Sequence, residues 1–184
     1  MKKLFVLTAL LLWIPQQAHT AEFCLGKGRI QVNYFGEVVL HPGVLLELEA
    51  DILSFGKYQL YFGAGAGKYH HKWYHNAYFQ NNALGLRYQS NKAFFMDTEL
   101  NFAFFFTQAD GDIYTAEYHD EYPYYPVEPN LRYGLAFFFG WKLPIEKFEF
   151  FLGPDIYMES QINYAQVPHF ALRLGLSYNI GGKK

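Results

Sequence analysis

Phe94-Phe95-Met96-Asp97-Thr98-Glu99-Leu100-Asn101-Phe102-Ala103-Phe104-Phe105-Phe106-Thr107 decides how this chain folds. Taken alternately, Phe94, Met96, Thr98, Leu100, Phe102, Phe104 and Phe106 make a greasy face, while Phe95, Asp97, Glu99, Asn101, Ala103, Phe105 and Thr107 make one that carries charge. A period of two is that of a β-strand, and the run exceeds the roughly 9–11 residues that a tilted strand needs to cross a bilayer. Leu131–Leu143 repeats the pattern: Leu131, Tyr133, Leu135, Phe137, Phe139 and Trp141 alternate with Arg132, Gly134, Ala136, Phe138, Gly140 and Lys142. A soluble barrel would put the bulky face inside, where only a few layers of side chains fit. Turned inside out the pattern works, with lipid on the bulky face and small residues plus paired charges in a narrow lumen. The expected fold is all-β, a closed eight-stranded antiparallel up-and-down transmembrane barrel.

Composition fits that reading. Aromatic residues make up 21% of the 184 residues and charged residues 17%, and a mean hydropathy of −0.10 is unlike that of a helical membrane protein. At the N-terminus Lys2 and Lys3 precede the apolar run Leu4–Ile14, then Pro15 and Ala18-His19-Thr20-Ala21. This is the layout of a secretory signal peptide, so residues 1–21 are expected to be removed and 22–184 to form the barrel. Removal takes two of the 15 basic residues and none of the 17 acids, moving the formal charge from −2 to −4. Such a balance offers nothing to nucleic acid. Cys24, the single cysteine, excludes an intrachain disulfide.

The strands are expected at Lys27–Leu40, Val44–Leu53, Tyr58–Gly67, Ala83–Gln89, Phe94–Thr107, Leu131–Leu143, Phe148–Glu159 and His169–Ile180. Turns are expected at His41-Pro42-Gly43, at Ser54–Lys57, at Ser90-Asn91-Lys92 and at Pro144–Lys147, with loops over 68–82, 108–129 and 160–168. Connections after the second, fourth and sixth strands are short and those after the third, fifth and seventh longer. Short turns face the periplasm and long loops the exterior, so both termini are expected on the periplasmic side. The short turn at His41 is the exception.

In this register the charged strand residues share the luminal parity, nine acids against six bases. The core of the expected network is Glu47, Glu49, Arg87, Asp97, Glu99, Arg132, Asp155 and Arg173, with Glu47, Glu49 and Glu99 set against Arg87, Arg132 and Arg173. Because eight strands leave room only for side chains, these charges are expected to plug the lumen.

Arg173-Leu174-Gly175-Leu176-Ser177-Tyr178-Asn179-Ile180 resembles the terminal-strand signal of bacterial outer-membrane proteins, with Gly175, Tyr178 and Ile180 at its defining positions. The chain after residue 21 resembles the small barrels of the OmpA, OmpX and OmpW type. That resemblance implies the bacterial outer membrane, reached through the periplasm, with the assembly machinery, the bilayer and lipopolysaccharide as partners. No cofactor is implied.

Other residues carry candidate chemistry. His70, His71 and His75, with His119 from the next loop, offer imidazoles to a borderline metal, although mobile surface histidines are the simpler reading and no metal is expected. Asp110-Gly111-Asp112 starts like a calcium loop, but Tyr114 stands at the next ligand position. Ser160, His169 and Glu159 could supply nucleophile, base and orienter. The lipid A deacylases of the PagL type are similar in size, but their His-x-Ser motif would need serine at Ala171. Trp73, Tyr74, Tyr122, Tyr124 and Tyr125 suit a binding loop, where tyrosine gives amphipathic contact area at low entropic cost, or an interfacial girdle. The expected function is a non-enzymatic surface barrel that presents these loops to an extracellular protein or glycan. Alternatives are a narrow channel for ions or small apolar solutes, of the OmpW kind, and an envelope-lipid hydrolase.

Overall fold

The computed structural model describes residues 22–23, 27–37, 41–71, 75–90, 93–109, 128–160 and 166–181. Eight long strands build the wall: β1 Gly28–Glu37, β2 His41–Phe55, β3 Tyr58–His71, β4 His75–Gln89, β5 Phe94–Ala109, β6 Glu128–Lys142, β7 Phe148–Ser160 and β8 Gln166–Ile180. Each pairs antiparallel with its sequence neighbours, and β8 pairs with β1 to close the cylinder. A two-residue strand, Glu22–Phe23, continues the edge of β2 beside Ser54 and Leu53.

The stagger can be read from the ladder. Stepping from Arg29 through Glu49, Gly63, Ala83, Asn101, Gly134 and Tyr157 ends at His169, ten residues from Asn179, the actual partner of Arg29 on β8. Such shear requires strands tilted by about 35–45°. Closure leaves no open edge for lipid to face, as a backbone crossing hydrocarbon requires.

Side-chain exposure settles the direction of the two faces. On β2, Leu46 and Leu48 are 56% and 60% exposed while Glu47 and Glu49 between them are 3% and 6% exposed. The same inversion holds on β5, β6 and β8, where Leu100, Phe137 and Leu174 face out and Glu99, Phe138 and Arg173 face in. Aromatic pairs ring the barrel near the tight turns: Tyr58–Tyr88 at 5.4 Å, Phe94–Trp141 at 5.8 Å and Phe148–Tyr178 at 5.2 Å between ring centroids. That is where an interfacial belt belongs. Gly56 in the β2–β3 turn takes a left-handed φ of 62°, a conformation open to glycine at no steric cost.

Apart from β1, described as Gly28–Glu37 where Lys27–Leu40 is expected, the strands run longer than the sequence patterns suggest, and two expected connections move. His41, Pro42 and Gly43 are not a turn: they pair with Glu37, Gly36 and Phe35 inside the β1–β2 ladder, so only 38–40 separates these strands. The loop expected over 68–82 is mostly ladder as well, with Lys68 opposite Tyr78 and His71 opposite His75. The reason is the luminal side of this hairpin. Tyr69, Ala77 and Phe79 point inward and join Phe35, Leu45, Phe105, Tyr157 and Ala171 in an apolar cluster that the extra turns of ladder are needed to deliver. Strand β6 likewise begins at Glu128 and β8 at Gln166. Of the longer connections expected after β3, β5 and β7, only 110–127 remains long.

Candidate functional site

The lumen is built from four arginines, each gripping carboxylates from other strands and laying its flat face on a ring. Arg87 on β4 takes both oxygens of Asp97 on β5, at 2.7 and 2.6 Å, and reaches Glu149 on β7 at 2.9 Å, with its guanidinium 4.0 Å from the centre of Phe95. Arg29 on β1 pairs with Glu49 and with Asp51 at 3.1 Å, over Tyr61. Arg173 on β8 pairs with Glu47 and with Glu99 at 3.0 Å, over Phe138. Arg132 on β6 donates to Asp155 at 2.7 Å and stacks 3.5 Å from the centre of Tyr157. A delocalised, weakly hydrated guanidinium suits both contacts at once.

Neutral donors complete the carboxylates. Glu47 accepts from Asn81 at 2.8 Å and Asn33 at 3.1 Å, and Glu99 accepts from Tyr61 at 2.8 Å. Burying an ion is tolerable only with such partners, because each charge loses its water. The wall makes room by glycine. A Cβ at Gly85 would lie 2.0 Å from the Tyr61 ring, so the ring occupies the space that glycine leaves.

The expected pairing set is thus partly redrawn. Arg173 does stand between Glu47 and Glu99, but Glu49 belongs to Arg29, Arg87 to Asp97 and Glu149, and Arg132 to Asp155. Arg29, Asp51 and Glu149 complete the network. Their luminal parity is visible in the sequence, but the stagger that selects partners is not. Lys27 and Lys142 are exposed and line a cavity of about 150 Å³ at the end nearest the turns, whose inner wall is Arg29, Asp51, Arg87 and Glu149.

The hydrolase constellation does not assemble. Glu159 is buried in the lumen and its carboxylate lies 3.4 Å from His169 Nε2, but Ser160 is the next residue of β7 and points to the other face. Its hydroxyl donates to the Leu131 carbonyl and accepts from the Leu131 amide, both at 3.2 Å.

His70 Nδ1 lies 3.2 Å from Asn76 Oδ1, and the described residues contain no group of three metal-ligating side chains. His71 and His75 are register partners at the tip of the β3–β4 hairpin. His119, Trp73, Tyr74, Tyr122, Tyr124 and Tyr125 lie outside the described residues, as do Cys24, Asp110, Asp112 and residues 1–21. On β8, Gly175 abuts Asn33 and Phe151, while Tyr178 and Ile180 face outward.

A closed antiparallel wall of eight strands, greasy outside and ionic inside, defines a small transmembrane β-barrel. Among solved structures the chain is similar to the outer membrane enzyme PagL, with a TM-score of 0.50 and 14% identity over 83% of this chain and 98% of that one. It is also similar to Neisserial surface protein A, with 0.48 and 8% over 83% and 94%, and to the N-terminal β-barrel domain of Pseudomonas aeruginosa OprF, with 0.46 and 11% over 84% and 98%. At these identities the likeness is one of fold. No family model matches the chain, and no curated protein matches it.

Proposed function

We propose that the chain is a non-enzymatic barrel of the bacterial outer membrane, with an ion-paired plug in its lumen, that presents 72–74 and 110–127 to an extracellular protein or glycan. Residues 1–21 direct secretion to the periplasm, the termini stay periplasmic, and Gly175, Tyr178 and Ile180 address the assembly machinery. The bilayer and lipopolysaccharide surround the wall. Trp73, Tyr74, Tyr122, Tyr124 and Tyr125 supply the contact surface.

The observation that carries this reading is Arg173, with 0% exposure, held between Glu47 and Glu99 across the middle of the lumen. A conducting path would have to break these pairs, and freeing one buried charge from its partner costs about 3–5 kcal/mol. The separation of Ser160 from His169 supports the non-enzymatic part. The narrow-channel reading keeps one observation in its favour, the polar cavity at one mouth. Planar-bilayer recording distinguishes the two: a plugged barrel gives no unitary steps, and steps abolished by Glu99→Gln or Arg132→Met would overturn the plug.

A further inference from the structure

Strand β4 carries two amides where hydrocarbon is expected. Gln80 and Asn82 lie on its outward parity, between buried Phe79, Asn81 and Ala83. Tyr78 and Tyr88 stand on the same outward parity of that strand, where the two interfacial belts are expected. With a rise of about 3.3 Å per residue along a tilted strand, Asn82 lies on the order of 10 Å inside Tyr78. The amides are bonded to each other: Gln80 Nε2 donates to Asn82 Oδ1 at 2.8 Å, and Asn82 Nδ2 donates to Gln80 Oε1 at 3.1 Å. Each amide nitrogen also reaches a backbone carbonyl, that of Asn81 at 3.3 Å and that of Phe102 at 3.5 Å. The amide oxygens still have acceptor capacity that acyl chains cannot meet.

Their cross-strand partners shape the surface. On β3 these are Ala66 and Ala64, and on β5 they are Phe104 and Phe102. Beyond the alanines stand Leu46 and Leu48 of β2. Two alanines and two amides therefore floor a shallow trough between a leucine ridge and a phenylalanine ridge. Lys68, 5.0 Å over the Tyr78 ring, closes its outer end.

We propose that this trough is a self-association site, where the Gln80–Asn82 pair of one barrel docks on the same pair of a second copy. A dimer of like-oriented barrels has its two-fold axis along the membrane normal, which brings identical residues together at identical depth. An amide is its own hydrogen-bonding complement, so the intramolecular pair can be exchanged for bonds across the axis. The alanines let the two walls approach closely, as small residues do between membrane segments. A lipid chain would fill the trough but leave the second lone pair of each amide oxygen unmet.

The test uses the full chain in lipid vesicles, with Cys24→Ser as background. Ala66→Cys is placed in the trough with both amides intact, and Leu174→Cys on β8, three strands from β3 around the wall, is the control. Oxidation is expected to cross-link A66C several-fold more than L174C, and the difference is expected to vanish when Gln80→Leu and Asn82→Val are added. In a separate measurement on chains that keep Cys24 and carry no added cysteine, energy transfer between copies labelled there is expected to show association weakened roughly tenfold by the same pair of changes, the loss expected of two modest hydrogen bonds in a membrane. Circular dichroism of each variant confirms the β-barrel. Equal cross-linking at both positions, or association unchanged without the amides, would overturn the proposal, as would a monomeric wild type in which the trough binds only lipid.

Discussion

Arg173 is the residue on which most of the buried charge depends. It serves Glu47 and Glu99 and lies 3.9 Å from Asp155, so its removal strands two carboxylates that retain, among the described residues, Asn33, Asn81 and Tyr61 as donors. Arg173→Met, close to it in volume, is expected to destabilise the barrel by about 3–5 kcal/mol. Adding Glu47→Gln and Glu99→Gln should recover much of that loss, because neutral amides need no counter-charge. Urea unfolding in lipid vesicles, followed by tryptophan fluorescence, measures both. A loss below about 1 kcal/mol for R173M would mean that water already solvates these acids.

At the level of elements, the wall is interrupted by a register shift between Asp51 and Leu53 in the β2–β3 ladder and by a gap in the β6–β7 ladder. The β6–β7 ladder lapses between the Ala136–Asp155 and Phe139–Leu152 pairs, where Pro154 has no amide hydrogen to give. Gly153 lets the strands close over this gap: a Cβ there would sit 1.8 Å from the Phe137 carbonyl oxygen. Gly153→Ala is therefore expected to push β6 and β7 apart at a cost of about 1–3 kcal/mol, the usual penalty for overpacking. Faster hydrogen exchange at the Phe139 and Leu152 amides would report it, and unchanged exchange would refute it.

The same scale shows what could be read in advance. Within the bilayer a single rule, bulky out and ionic in, makes β2, β5, β6 and β8 legible from residue types alone. Toward the β3–β4 hairpin tip that rule reverses. Lys68, His70 and Asn76 take the outer face there, and Tyr69, Ala77 and Phe79 the inner one. A strand whose two halves obey opposite rules looks like a loop. The ion pairs were legible only as membership, since a stagger of ten residues sets who meets whom and leaves no mark on any one strand. Gln80 and Asn82 lie in that loop-like segment, so nothing in the sequence marks their outward parity.

Taken whole, the barrel is held together by strand residues, apart from the stretches proposed to meet a ligand. The four arginine clusters close among strand residues, so shortening 110–127 is expected to leave the urea midpoint within about 0.5 kcal/mol of the parent in free energy, as surface changes usually do. The same deletion is expected to abolish binding of intact cells to arrayed host proteins and glycans. If binding persists, the surface-ligand reading fails while the barrel stands. The ionic contacts also span the chain: Glu47 and Arg173 are 126 residues apart, and Arg87 and Glu149 are 62 apart. Arg29, Arg87 and Arg132 each have an acid on the next strand, but an unfinished sheet laid against lipid would leave Arg173 without Glu47 and Glu99, at about 2–4 kcal/mol for a guanidinium at mid-bilayer. A chain whose first and last strands are still unjoined is therefore expected to enter lipid less readily than the closed cylinder, because Arg173 on the last strand finds Glu47 only once the circle is complete.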